Sequence, residues 1–203
     1  MALVLYHIAP SRSSTVLWML EEIGRPYELR VMSGKTGETR APAYLAVNPL
    51  GKVPALDHDG TVITEAAAIC VYLADAFPEA GLTVPISERR RGTLLKWLFF
   101  APGTLEPAIL DRAFKRTDEA PRGALPYGDY DTTIDAVARA LAAGPYLLGD
   151  GCTVADVVIG ATLRWGMTFK LVPERPEFRA YVDRLAARPA FQRAKAKDEA
   201  LAG

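Results

Sequence analysis

Three short runs in the first third of the chain carry polar groups at spacings that could do chemistry. Ser11-Arg12-Ser13-Ser14 sits between an apolar, β-prone run at residues 2–8 and an apolar run beginning at Val16. Hydroxyls in that place can accept the free N–H groups at the start of a helix. Gly51-Lys52-Val53-Pro54-Ala55-Leu56-Asp57 contains a Val-Pro pair that opens a short apolar strand. A proline there also suits the first residue of an edge strand, where its missing N–H costs little. Thr64-Glu65-Ala66-Ala67-Ala68-Ile69 opens a helix, with Thr64 placed to cap it and Glu65 to complement its dipole. Asp59-Gly60 between the last two runs marks a tight hairpin, and Thr61-Val62-Ile63 returns as a strand. A strand edge followed by a hairpin and a helix N-terminus suits a peptide-like ligand laid along backbone, its charged end at the helix.

These groups need a scaffold, and hydrophobic periodicity supplies one. Residues 2–8 read as a buried strand. Val16, Leu17, Trp18, Met19, Leu20 and Ile23 make an apolar helix that Gly24 and Pro26 end. Tyr27 to Met32 reads as a strand, 33–39 as a loop, and Pro42 to Val47 as a short helix stopped by Asn48-Pro49. The Val53–Asp57 strand, the hairpin and a helix from Glu65 to Ala76 complete the order β-α-β-α-β-β-α. Pro78, Gly81 and Pro85 mark a linker. Beyond it the patterns are helical: a long region from Ser87 towards Lys115, broken or kinked at Pro102-Gly103 and Pro107, a loop over 117–129, then helices near 130–143, 153–169, 176–187 and 189–199. The expected architecture is an α/β domain over 1–77 and an all-helical domain over 86–203.

Composition narrows the function classes. The chain has 203 residues, 50% hydrophobic and 24% charged, with a formal net charge of zero. That balance leaves no electrostatic footprint for nucleic acid. No apolar run reaches the roughly 18 residues a membrane span needs, and the first residues read as a strand, not a signal peptide. Cys70 and Cys152 are the only cysteines, so neither a disulfide framework nor a zinc site is expected. The cytoplasm is the expected location.

The Val53-Pro54 and Glu65-Ala66 segments, the run Val16-Leu17-Trp18-Met19-Leu20-Glu21-Glu22 and the later Thr153-Val154-Ala155-Asp156 resemble the bacterial members of the cytosolic glutathione transferase family. The resemblance implies a thioredoxin-like βαβαββα N-terminal domain and an all-helical C-terminal one. It also implies that Pro54 is cis and that the Val53 backbone pairs with the cysteinyl backbone of glutathione. Lys52 would meet the glycyl carboxylate. Glu65 would bind the γ-glutamyl ammonium, and the Ala66 N–H its carboxylate. A serine is usual at position 66; its loss removes one hydrogen bond, worth about 0.5–1.5 kcal/mol. Thr15 likewise stands where arginine is common. The family's reaction needs the thiolate of glutathione. A free thiol has a pKa of about 8.5, and lowering it two units takes about 2.7 kcal/mol. Ser11 matches the catalytic hydroxyl of serine-type members, with Ser13 and Ser14 close by and Tyr6 a tyrosine-type alternative. Arg12 could steer the anionic tripeptide. The cysteine of another bacterial class would fall near Pro10, and none is there.

Thr153-Val154-Ala155-Asp156 has the form of a capping box and is assigned to stability, at about 1 kcal/mol for either side chain. Tyr6, Phe100 and Trp165 are candidates for the wall of an apolar electrophile pocket. Cys70 belongs with the core. The resemblance implies an enzyme that adds glutathione to a small hydrophobic electrophile as a homodimer, with glutathione as co-substrate and no metal. A non-catalytic transferase-like binding module and a glutathione-dependent reductase or peroxidase are the alternatives.

Overall fold

A computed structural model of the protein describes residues 2–114 and 120–202. The first unit begins with β1 (Leu3–His7), α1 (Ser13–Ile23), β2 (Glu28–Val31), α2 (Pro42–Leu45), β3 (Ala55–His58), β4 (Thr61–Thr64) and α3 (Ala66–Ala76). This is the expected βαβαββα order. The strands form one sheet in the order β2-β1-β3-β4. β1 and β2 are parallel; β1 with β3 and β3 with β4 are antiparallel. Side chains alternate across a strand, so Leu3, Leu5 and His7 share the face opposite Tyr6. All four are buried.

The second unit is helical: α4 (Arg90–Phe100), α5 (Glu106–Ala113), α6 (Tyr130–Ala142), α7 (Val154–Thr168) and α8 (Pro176–Ala186). The expected break near Pro102 is instead a π-helical turn over Ala101–Leu105 that joins α4 to α5. The widened turn contains Pro102 and is followed directly by Pro107, the second residue of α5. The expected loop over 117–129 contains a short 3-10 turn at Arg122–Ala124, and its first residues, with the end of the helix towards Lys115, lie outside those described.

The last helix, α9 (Pro189–Ala202), does not belong to the helical unit. The chain divides into Met1–Gly81 with Ala187–Gly203, and Leu82–Ala186. This differs from the expected 86–203 domain, and the reason lies in α1. Val16 to Leu20 are buried without interruption. A helix apolar nearly all round needs partners on more than one side. The sheet and α3 cover part of it, and α9 packs along the rest. Trp18 meets Phe191 edge-on, with ring centroids 5.1 Å apart. Arg188 grips Glu22 through two bonds of 2.6 and 2.7 Å. Arg193 and Lys197 reach Glu21 at 2.8 and 2.5 Å. Burial pushes the Glu21 carboxyl up, but Lys197, Tyr27 and Arg193 outweigh it and hold Glu21 below the ordinary value.

In the second unit Asp156 is fully buried at the start of α7. Its Oδ2 accepts from the Thr153 N–H and hydroxyl at 2.8 and 2.9 Å. Its Oδ1 accepts from the Leu147 N–H and the Tyr181 hydroxyl, both at 2.9 Å. The carboxylate therefore ties three segments together, a larger role than one capping side chain.

Candidate active site

Strand register brings the singled-out residues of the first unit to one end of the sheet. Tyr6 lies opposite Ala55, and Ala55 opposite Thr64. The C-terminal end of β1, the start of β3 and the end of β4 are therefore neighbours. Three connections leave from that end: 8–12 into α1, 51–54 into β3, and Glu65 into α3. They carry Ser11, Arg12, Lys52, Val53, Pro54, Glu65 and Ala66.

The Val53-Pro54 peptide bond is cis, as is Ala9-Pro10. Val53 lies ahead of the β3–β4 ladder, which starts at Ala55. Its backbone N–H and C=O have no partner among the described residues. Lys52 is exposed, but its carbonyl is fixed, accepting from the Tyr44 hydroxyl and Asn48 Nδ2, each at 2.7 Å. Asn48 Oδ1 also accepts from the Leu50 N–H at 3.1 Å. Gly51 has φ +58, and a Cβ there would lie 2.6 Å from the Thr39 carbonyl oxygen; only glycine fits. Tyr44 and Asn48 thus shape the approach to Val53, and sequence reading passed over both. Their i, i+4 spacing across a short helix ahead of Asn48-Pro49 was the available signal.

Glu65 is exposed and is the N-cap of α3, with φ +70 and no side-chain cap. Thr64 ends β4 and does not cap the helix. A glutamate in the left-handed region carries about 1–3 kcal/mol of strain. Its carbonyl accepts the first helical bond, from the Ile69 N–H at 2.9 Å. Among the described residues no side chain caps the opening turn of α3, which leaves its first N–H groups, Ala66 included, available to an anion.

The serines separate clearly. Ser13 is fully buried, whereas Ser11 is half-buried. Ser11 Oγ accepts from the Ser13 N–H at 3.0 Å and lies 2.7 Å from Ser13 Oγ. Ser14 Oγ accepts from the Ser11 N–H at 3.3 Å. Exposed Arg12 is the residue ahead of α1. Tyr6 lies on the face of the sheet opposite His7. Its hydroxyl accepts from Arg30 at 2.8 Å, and the Arg30 guanidinium also sits over its ring. Tyr6, Tyr44 and Ala55 form a buried cluster against which Val53 packs. Burial, then the neighbouring Tyr6, pushes the Tyr44 phenol up to about 12.

Phe100 and Trp165 belong to the helical unit. Phe100 meets Trp97 at 5.2 Å between ring centroids, and Trp165, partly exposed, meets Phe169 at 5.6 Å. Cys70 is fully buried, and burial pushes its thiol far up. Among the described residues no cluster of three metal-ligating side chains occurs, and no helix is long and apolar enough to cross a membrane.

Residues 11–76 match the glutathione S-transferase N-terminal domain, and residues 131–189 the C-terminal domain. The chain is 33% identical over 151 residues to glutathione S-transferase GstA of Escherichia coli O157:H7, covering 73% of this chain and 75% of that one. The chain belongs to the glutathione S-transferase family. Glutathione S-transferase GST-4.5 of Xanthomonas campestris is 32% identical over 151 residues, 69% of this chain and 71% of that protein. Among solved structures, the glutathione transferase of Methylococcus capsulatus superposes with a TM-score of 0.83 at 33% identity, covering 98% of this chain and 99% of that one. A Sulfitobacter homologue with bound glutathione gives 0.77 at 26% identity, covering 97% of this chain and 98% of the other. In this transferase both family domains are therefore present, with glutathione as the co-substrate the family uses.

Proposed function

We propose that the protein binds reduced glutathione at the sheet end carrying Val53, Glu65 and Ala66, and that the Ser11 hydroxyl stabilises the bound thiolate for attack on a small hydrophobic electrophile. The observation that carries this reading is the half-buried Ser11 Oγ, which shares one end of the sheet with the unpaired Val53 backbone and the open start of α3. Ser13 is fully buried, and the Tyr6 hydroxyl is already bound by Arg30, so both fit the role less well. Val53 N–H and C=O pair with the cysteinyl backbone as an added strand. Glu65 takes the γ-glutamyl ammonium, the Ala66 N–H its carboxylate, and Lys52 and Arg12 draw in the anionic tripeptide. The helical unit selects the electrophile through apolar side chains, with Phe100 and Trp165 the leading candidates. The enzyme works in the cytoplasm as a homodimer.

Calorimetric titration with reduced glutathione, combined with the ultraviolet absorbance of the bound thiolate, tests this. Wild type should bind at sub-millimolar Kd. Ser11→Ala should keep that affinity and raise the apparent thiol pKa by one to two units, about 1.4–2.7 kcal/mol, with turnover falling about 10- to 100-fold. An unchanged thiol pKa in Ser11→Ala would remove Ser11 from the mechanism. No binding at several millimolar would favour the non-catalytic module.

A further inference from the structure

Behind Ser11 lies an unbroken chain of polar atoms running into the core of the first unit. Ser11 Oγ is 2.7 Å from Ser13 Oγ, and Ser13 Oγ is 2.8 Å from His7 Nδ1. His7 Nε2 is 2.9 Å from Asp198 Oδ1 on α9. Both atoms are buried and make no aligned hydrogen bond among the described residues, so the pair meets as a close ionic contact. His7 is fully buried and Asp198 only 17% exposed. A buried imidazole hydrogen-bonded at Nδ1, with a carboxylate in close contact at Nε2, leads through Ser13 to one half-buried hydroxyl. We propose that Asp198, His7 and Ser13 form a proton relay that receives the glutathione thiol proton through Ser11, making them positioning residues for thiolate formation; this rests on Ser11 being the thiol-facing hydroxyl.

Donor and acceptor counts fit such a relay in both of its states. A carboxylate beside Nε2 fixes the proton there and leaves Nδ1 as an acceptor. Ser13 then donates to Nδ1 at 2.8 Å in preference to its alternative acceptor, the Ile8 carbonyl at 3.2 Å, and accepts from Ser11 and from the Ile8 N–H at 3.2 Å. Ser11 donates to Ser13 and accepts from the Ser13 N–H, and one lone pair stays open to the incoming S–H. On transfer the S–H bond breaks and its proton goes to Ser11 Oγ. The original Ser11 proton passes to Ser13 Oγ, and the Ser13 proton to His7 Nδ1. The products are a thiolate and an imidazolium beside Asp198, with no proton lost to solvent. Each bond in the chain now points outward: His7 donates to Ser13, Ser13 to Ser11, and Ser11 to the thiolate.

Other ionisable groups around this line are engaged elsewhere. On β2, Arg30 faces Tyr6 across the sheet. On β3, His58 bonds the Tyr72 hydroxyl at 2.7 Å. Glu21 on α1 is bound by Arg193 and Lys197 of α9. Asp198 is therefore the charged side chain among the described residues placed to stabilise an imidazolium at His7.

The test separates retention of the thiol proton from its release. Calorimetry with reduced glutathione in two buffers of different ionisation enthalpy gives protons released on binding, and thiolate absorbance gives thiolate formed. Wild type at neutral pH should form thiolate while releasing far less than one proton for each. Asp198→Asn, His7→Gln and Ser13→Ala should form about tenfold less thiolate, one pKa unit, at nearly unchanged Kd, and should release a full proton with each thiolate that does form. If His7→Gln fails to fold, Asp198→Asn at its part-exposed position decides. A full proton per thiolate in wild type, or an Asp198→Asn variant matching wild type in both readouts, overturns the relay. If Ser11→Ala then still loses its thiolate, the assignment of Ser11 stands without it; full thiolate in Ser11→Ala overturns that assignment as well.

Discussion

Replacing Asp156 by asparagine should unfold the second unit more readily than its near-identical shape suggests. Each carboxylate oxygen accepts one backbone N–H and one hydroxyl: Thr153 N–H and Oγ1 on Oδ2, Leu147 N–H and the Tyr181 hydroxyl on Oδ1. An asparagine keeps one oxygen and points an NH2 at the other pair. The hydroxyl in that pair can turn and accept, but the backbone N–H cannot. Flipping the amide only exchanges which N–H is stranded, Leu147 or Thr153. A buried unsatisfied donor costs about 1–3 kcal/mol, and the remaining bonds lose their charge assistance, about 1 kcal/mol in sum. Burial, opposed by the Leu147, Thr153 and Tyr181 bonds, leaves the Asp156 carboxyl raised, so removing the charge returns part of this. The expected net loss is about 2–3 kcal/mol for Asp156→Asn. Asp156→Ala strands both N–H groups and should lose about 3–5 kcal/mol, and Thr153→Ala about 1 kcal/mol. Urea unfolding followed by helical circular dichroism measures this as a fall in midpoint at constant slope. An Asp156→Asn variant within about 0.5 kcal/mol of wild type would show that the N–H groups find other partners and that the argument from donor geometry is wrong.

Two further outcomes concern the candidate site. Glu65→Gly relieves the left-handed strain at position 65, so it should stabilise the fold by about 1 kcal/mol while weakening glutathione binding about tenfold or more; Glu65→Gln should weaken binding without the gain in stability, and calorimetry beside urea unfolding distinguishes the two. Tyr44 has its phenol raised to about 12 by burial and then by Tyr6, against about 10 in an unfolded chain. Its contribution to stability is full below about pH 10 and is lost as pH rises through about 12; Tyr44→Phe should show a shallower alkaline loss of stability in urea midpoints, and an equally steep one would refute the shift.

The strand and helix order of the first unit was legible because its signals are local. Alternating apolar residues, the Asp59-Gly60 turn and the Gly24 stop each act within a few positions. The site residues on the three connections were legible by resemblance, since single glycines, prolines and acids mark them. Residues that complete the site from a distance were not. Tyr44 and Asn48 act on Lys52 through its carbonyl, which no side-chain pattern reveals. His7 lay in the inward register with Leu3 and Leu5, a polar residue in a core stripe that demanded partners, but its partner Asp198 is on the far side of the sequence. The uninterrupted burial of Val16 to Leu20 likewise required a second covering helix. Periodicity could show that need without naming α9.

The placement of α9 has a consequence for how the molecule is made. Glu22 and its partner Arg188 are 166 residues apart, so the first unit stays incomplete while the whole helical unit is being synthesised. During that interval the Trp18 side of α1 lacks its cover. The helical segment, built from local contacts, can fold as it emerges, whereas the sheet-bearing segment must wait for a helix translated after it. The unit made first is therefore the unit finished last, and the sheet end proposed to activate the thiol reaches its mature form only at that final docking.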